Sequence, residues 1–256
     1  MNAVILDARS RDAYDAGHLE GAIHADLETH LSEKGDPAQG GRHPLPPVER
    51  WLRQVAEWGI TPATRVLVYD DANGANAAAR VWWMFKAIGH ENVEVLPQWS
   101  AGSLPAGPPA AGRAGEAAGG PAAQRAALQW QLPTVTMEQV DHLRNDPSWR
   151  VLDVRSRERF RGETEPIDPV AGHIPGAVNL PYTDNVGKSP AELRAMYEQL
   201  LGEVPPERLI VHCGSGVTAC HTLLALDQAG LHGASLYVGS WGEWCRNGKP
   251  IGKQSR

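Results

Sequence analysis

The chain alternates short apolar runs with longer stretches of helical periodicity. VILD (4–7), VLVY (66–69) and VEVL (93–96) in the first half are answered by RVLDV (150–154), LIVH (209–212) and SLYV (235–238) in the second. Between them lie segments such as AARVWWMFKAIG (78–89) and ACHTLLALDQAG (219–230), whose apolar residues recur with helical spacing. Runs of four or five residues, rich in valine, leucine and isoleucine and bounded by turn residues, read as buried strands. Their alternation with helices predicts β-α-β units, hence an α/β fold with mostly parallel sheets flanked by helices.

The pattern occurs twice. VILDARSRDAYDAGHLEGAIHADL (4–27) matches RVLDVRSRERFRGETEPIDPVAGHIPGAVNL (150–180), and TRVLVYDDANGANAAARVWWMFKAIGH (64–90) matches ERLIVHCGSGVTACHTLLALDQAGLH (207–232). Each pair is followed by an apolar run and a tryptophan-containing turn that ends in proline, VEVLPQWSAGSLP (93–105) and SLYVGSWGEWCRNGKP (235–250). Self-similarity on this scale predicts two homologous domains. AGPPAAGRAGEAAGGPAAQRAAL (106–128), with no periodic apolar face, reads as a linker between them. The expected organisation is a first domain over 1–106, a linker over 107–130 and a second domain over 131–256. The second copy carries TVTMEQVDHLRNDPSWR (134–150), a strand and a helix, ahead of its first repeated strand, whereas the first copy has three residues before Val4. The expectation is that the first domain lacks its opening elements and that the natural start lies upstream of Met1.

Composition narrows the function. Two domains of this size can each bury a core, and a net charge of −6 with 21% charged residues excludes a broad nucleic-acid or anionic-membrane surface. No apolar run approaches a membrane span, and MNAVILDARSRD, with Asp7 in place of a basic and then apolar stretch, is not expected to act as a signal sequence. Cys213, Cys220 and Cys245 make an odd set of three with no CxxC pair, so a disulfide framework and a cysteine-rich zinc site are both disfavoured. A reducing, cytoplasmic setting is expected.

Cys213 stands where a strand (LIVH) gives way to a helix (ACHTLLALDQAG), at the carboxyl end of a parallel strand where ligands bind. Gly214 and Gly216 allow a tight curve that turns the backbone amides of Gly214 to Thr218 inward, and the helix adds its positive end. Such a cradle stabilises a thiolate, the nucleophilic form of cysteine. In the first copy Asp70 takes the place of Cys213, so that domain is expected to be chemically silent. A phosphatase C-x5-R loop would need arginine at 219, where alanine stands. Cys220 reads as core and Cys245 as a surface thiol. His18 and His173 recur in both copies and read as turn-shaping residues, Asp7 and Asp153 as strand-end holders of backbone amides, and Trp82 and Trp83 as packing. Trp241 and Trp244 are expected nearer the cysteine.

CGSGVTA (213–219), the two LDxR…GH(I/L)xGA motifs and GSWGEW (239–244) resemble the tandem-domain rhodaneses, the thiosulfate and 3-mercaptopyruvate sulfurtransferases, over essentially the whole chain apart from the linker. The resemblance implies that Cys213 takes up a sulfur atom as a persulfide and passes it to a thiol such as thioredoxin or glutathione, or to cyanide. No metal or organic cofactor is then expected, because the cysteine itself holds the intermediate, and the charge and hydropathy leave no nucleic-acid or membrane partner expected. Family members that prefer thiosulfate carry basic residues just after the cysteine; the neutral Gly214, Ser215, Gly216, Val217 and Thr218 point instead to 3-mercaptopyruvate, with Ser215 as a hydrogen-bonding group and Arg159 of RERFRG as the anchor of the donor's anionic group. Ile167 in TEPID departs from the second arginine that mercaptopyruvate enzymes often carry there, which keeps thiosulfate as the alternative donor. VLPQWSAGSLP is shorter than the family's usual turn. Outside enzymology, the alternative is a non-catalytic sulfide- or anion-sensing module.

Overall fold

The computed structural model describes residues 3–96 and 129–253. The linker through residue 128 and the turn VLPQWSAGSLP from Pro97 onward lie outside the described residues. The described chain packs as two units: 3–33 with 45–96 and 129–131, and 34–44 with 132–253. The segment Lys34–Pro44 therefore belongs to the second unit, although in sequence it sits inside the first repeat.

The first unit contains β1 (Ala3–Asp7), α1 (Arg11–Ala16), β2 (Ile23–His24), α2 (Val48–Glu57), β3 (Arg65–Tyr69), α3 (Ala77–Lys86) and β4 (Val93–Leu96). Its sheet is wholly parallel, in the order β2-β1-β3-β4. The central strand β3 buries Val66 through Tyr69, as expected of a strand covered on both faces. Helix α3 buries every side chain from Ala77 to Phe85, including Trp82 and Trp83, so the tryptophans are core. Helix α2 instead buries one stripe, Val48, Trp51 and Val55, at the spacing of a single helical face.

The second unit contains β5 (Thr134–Val135), α4 (Met137–Leu143), β6 (Arg150–Asp153), α5 (Arg157–Arg161), β7 (Val178–Asn179), α6 (Pro190–Leu201), β8 (Leu209–His212), α7 (Ala219–Gln228), β9 (Ser235–Tyr237) and α8 (Ser240–Trp244). Its parallel sheet runs β5-β9-β8-β6-β7. Two helix starts are fixed by reciprocal capping boxes, Thr136 with Gln139 and Ser189 with Glu192, the latter followed by a proline at the first helical position. Strand β5 and helix α4 have no counterpart among the described residues of the first unit, where β4 forms a half-buried edge.

The repeated LDxR and GH motifs are two ends of one lock. Asp7 at the end of β1 accepts from the Arg9 backbone amide and from the Arg9 guanidinium, which also donates to the Gly17 carbonyl at 2.6 Å. Asp153, Arg155 and Gly172 repeat the arrangement in the second unit, with the last bond at 2.8 Å. His18 and His173 bond through Nδ1 to the Tyr14 and Phe160 carbonyls, closing the same turn in each copy. Asp7 and Asp153 thus hold backbone amides as expected, and the arginines tie each strand end to its GH turn. Among the described residues no helix is long and apolar enough to cross a membrane.

Candidate active site

Strand β8 delivers Cys213 to a six-residue loop that ends where α7 begins at Ala219. The sulfur is buried, and the Gly216 backbone amide donates a hydrogen bond to Sγ at 3.2 Å. Gly216 has φ +74°, and a β-carbon there would lie 2.5 Å from the Val238 carbonyl oxygen, so this position needs glycine for both reasons. Ser215 and Val217 are buried in the loop, and Thr218 is half-buried at the mouth of α7.

Helix α8 fastens the loop from the other side. Ser240 Oγ accepts from the Cys213 amide at 3.2 Å and donates to the Tyr237 carbonyl at 2.9 Å. The amides of Trp241 and Gly242 donate to the carbonyls of Cys213 and Gly214 at 3.0 and 2.9 Å. Ser240 holds this place with φ +55°, a left-handed conformation uncommon for a residue other than glycine. Trp241 and Trp244 are fully buried, and the Arg155 guanidinium lies 4.7 Å from the Trp241 ring centroid. The tryptophan motif is therefore a clamp on the cysteine loop.

A chain of buried charges runs beneath. His212 Nε2 lies 3.9 Å from Asp153 Oδ2. Burial opposes charge on both, and it keeps His212 below the ordinary histidine pKa and neutral at neutral pH. For Asp153 the effect of burial is outweighed by Arg155 and His212, which hold its carboxyl below the usual range. Arg155 also donates to Glu165 at 3.1 Å, and Glu165 in turn accepts from Arg159 Nη2 at 2.7 Å. Arg159, on the short helix α5, is thereby aimed at the loop: a β-carbon added to Gly214 would lie 3.3 Å from its Nη2.

Arg42, from the segment 34–44, reaches the same point. Its Nη2 would lie 2.9 Å from a Gly214 β-carbon, and its Nε donates to Asp168 Oδ1 at 3.1 Å. Arg246 donates to the same oxygen at 2.8 Å, and Asp168 Oδ2 faces Arg159 Nη2 at 3.7 Å. Four arginines, 42, 155, 159 and 246, thus stand among three buried carboxylates, Asp153, Glu165 and Asp168, beside the sulfur. A local excess of positive charge favours an anion there.

The sister loop in the first unit shows the same turn already filled. Asp70 Oδ1 accepts from the amides of Ala72 and Gly74, each at 2.8 Å, and Oδ2 accepts from Asn76 and Ala78 at 3.0 and 3.1 Å. This loop bends through left-handed Asn73 and Gly74, φ +55° and +75°, as the cysteine loop does through Gly216.

One sequence expectation needs correction. Cys245 is buried in the core cluster with Trp241 and Trp244 rather than on the surface, and burial pushes its thiol up in pKa, with Asp168 adding to the effect. Within the run from Gly214 to Thr218, the Gly216 amide is the one that donates to Sγ. At Gly214 the close approach of Arg42 and Arg159 is what favours glycine. Arg42, Glu165, Asp168 and Arg246 escaped the sequence reading, since no periodicity or spacing ties GGRHP or EPID to the cysteine.

Two α/β units with parallel sheets and twin strand-turn-helix loops, one holding a cysteine and the other an aspartate, define a duplicated fold. A rhodanese-like domain model matches residues 1–98 and again 136–247, and the chain belongs to that family. It is 40% identical over 246 residues to a probable 3-mercaptopyruvate sulfurtransferase of Pseudomonas aeruginosa, covering 90% of this chain and 82% of the relative. It is 34% identical over 257 residues to human 3-mercaptopyruvate sulfurtransferase, with 96% and 82% covered. The mouse thiosulfate sulfurtransferase is 34% identical over 251 residues, with 94% and 82% covered. Among solved structures, 3-mercaptopyruvate sulfurtransferase from Leishmania major superposes with a TM-score of 0.77 at 28% identity, covering 97% of this chain and 72% of that one.

Proposed function

We propose that the protein is a sulfurtransferase that moves sulfur from 3-mercaptopyruvate to a thiol acceptor through a persulfide on Cys213. The observation that carries this reading is a buried sulfur facing the Gly216 amide at 3.2 Å, under a loop flanked by the Arg159 guanidinium. The Cys213 thiolate attacks the donor's sulfur: an S–S bond forms, the carbon–sulfur bond breaks, and its electron pair passes to the enolate of pyruvate, which takes up a proton. An acceptor thiolate then attacks the outer sulfur, leaves as its own persulfide and returns Cys213 as thiolate. Cyanide serves as acceptor in the same way.

The Asp70 carboxylate mimics the intermediate. It places negative oxygens one atom beyond the position of a cysteine sulfur and finds four backbone amides there. The outer sulfur of a persulfide projects equally far, so the amides of the Cys213 loop suit it better than they suit the bare thiolate. Ser215 and the Val217 and Thr218 backbone complete the pocket wall, and Arg159 anchors the donor's carboxylate through paired hydrogen bonds. Three free, buried cysteines suit a reducing compartment, and the cytoplasm is the proposed place of work.

Incubation with 3-mercaptopyruvate, followed by intact-mass measurement, should add one sulfur atom to the wild type and none to Cys213→Ser. Steady-state transfer to a common thiol should give a higher kcat/KM for 3-mercaptopyruvate than for thiosulfate. Sulfur loading that survives Cys213→Ser would refute the assignment, and a preference for thiosulfate would overturn the choice of donor.

A further inference from the structure

We infer that Arg42 is the second donor-anchoring cation of the site and a determinant of its specificity for a 2-oxo carboxylate. This rests on the sulfurtransferase reading and names the group that completes its substrate pocket. Arg42 Nη2 and Arg159 Nη2 converge on one point beside the Gly214 α-carbon, 2.9 and 3.3 Å from where a β-carbon would stand. Two guanidinia meeting there offer several N–H donors to one small anion, whereas Arg159 alone offers one fork. The position where a second arginine is otherwise expected holds Ile167, which is 54% exposed and brings no charge. Arg42 supplies that charge from a segment 126 residues away from its anchor Asp168.

The arginine is set for binding rather than spent in an internal pair. Asp168, with a side chain fully shielded from solvent, is shared between Arg42 and Arg246 through one oxygen, with Arg159, bonded to Glu165, 3.7 Å from the other. Arg42 touches it through Nε, and its Nη2 is turned to the loop. Its side chain is 21% exposed, so a ligand can reach it. The same geometry explains the neutral loop: a side chain at 214 would fall on these two guanidinia, and the charge is brought from outside the loop instead. A planar carboxylate next to a carbonyl presents oxygens at the spacing of two convergent forks, which favours a 2-oxo acid.

The test is the calorimetric Kd of 3-mercaptopyruvate for Cys213→Ser, where no sulfur can be transferred, compared with the same protein carrying Arg42→Gln, Arg42→Lys or Arg159→Gln. Arg42→Gln is expected to weaken binding about 10- to 100-fold, as loss of a charge-assisted contact does. Arg42→Lys is expected to fall between, because it keeps the charge and loses the fork. An unchanged Kd for Arg42→Gln, with Arg159→Gln weakened, would overturn the assignment. Should Arg42→Gln fail to fold, a parent-like Kd for Arg42→Lys would overturn it equally, and so would absence of binding by the Cys213→Ser parent. Sulfur loading of the wild type tests the sulfurtransferase reading separately, so that either can fail while the other stands.

Discussion

Asp70 and Cys213 occupy one backbone design and use it differently, which makes single substitutions informative. Asp70 is a shared acceptor for four amides in a buried turn. Asp70→Ala would strand them and should lower stability by about 1–3 kcal/mol, read by urea unfolding, with the larger loss if water cannot enter. At Gly216 the requirement is conformational. Gly216→Ala should lose about 1–2 kcal/mol for the left-handed backbone alone, and more for the approach to Val238. It should also slow persulfide formation, because the amide facing Sγ moves with the turn.

At the scale of elements, the ends of β1, β6 and β8 make the fold sensitive to pH. Burial would raise the Asp7 carboxyl, but Arg9, Tyr69 and the Arg9 amide together hold it below the usual range. Tyr69, buried and bonded to Asp7, is pushed up to about 12. Asp153 is depressed likewise. A carboxyl depressed in the folded state stabilises above its unfolded pKa of about 4 and loses that contribution as pH falls through the folded value. Neutral His212 acts in the same direction from a higher pH: unfolded, it binds a proton below about 6.5, so stability declines from there downward. The melting temperature should therefore fall in two stages on acidification, a shallow one below about pH 6.5 and a steep one below about pH 4. His212→Gln should make the first stage shallower, leaving the share of His30 and His90, whose pKa burial also lowers.

These elements were legible because each rests on local pattern: four-residue apolar runs, the all-buried face of α3, glycine turns and two copies to compare. The strand-end aspartates were read from their place after the run, but their arginines were visible only as part of a motif. The donor pocket was half legible. Cys213 and Arg159 lie in repeated motifs, whereas Arg42 meets Asp168 across 126 residues and Gly40 meets Glu243 across 203, distances over which neither periodicity nor spacing carries information.

Across the whole molecule, the segment Lys34–Pro44 is held in the second unit by a few polar ties. Glu243 accepts from the Gly40 amide at 2.7 Å and from the Tyr237 hydroxyl at 2.8 Å, and Asn247 donates to the Ala38 carbonyl at 2.9 Å. Glu243→Ala should loosen the segment. Amide exchange at 38–44 is expected to speed up and KM for the donor to rise several-fold, although Glu243 stands outside the donor's reach. A rise in KM without faster exchange would mean that Glu243 acts on the donor directly.

The membership of that segment also bears on how such a chain can be cut or inherited. A gene shortened to encode only the residues after the linker would keep the nucleophile, its loop and Arg159, and would lose Arg42 with the rest of 34–44. The half without a cysteine thus lends eleven residues to its twin, from Lys34 to Pro44, and on the proposed reading of Arg42 its loss would cost the chain the side chain that reads the cargo.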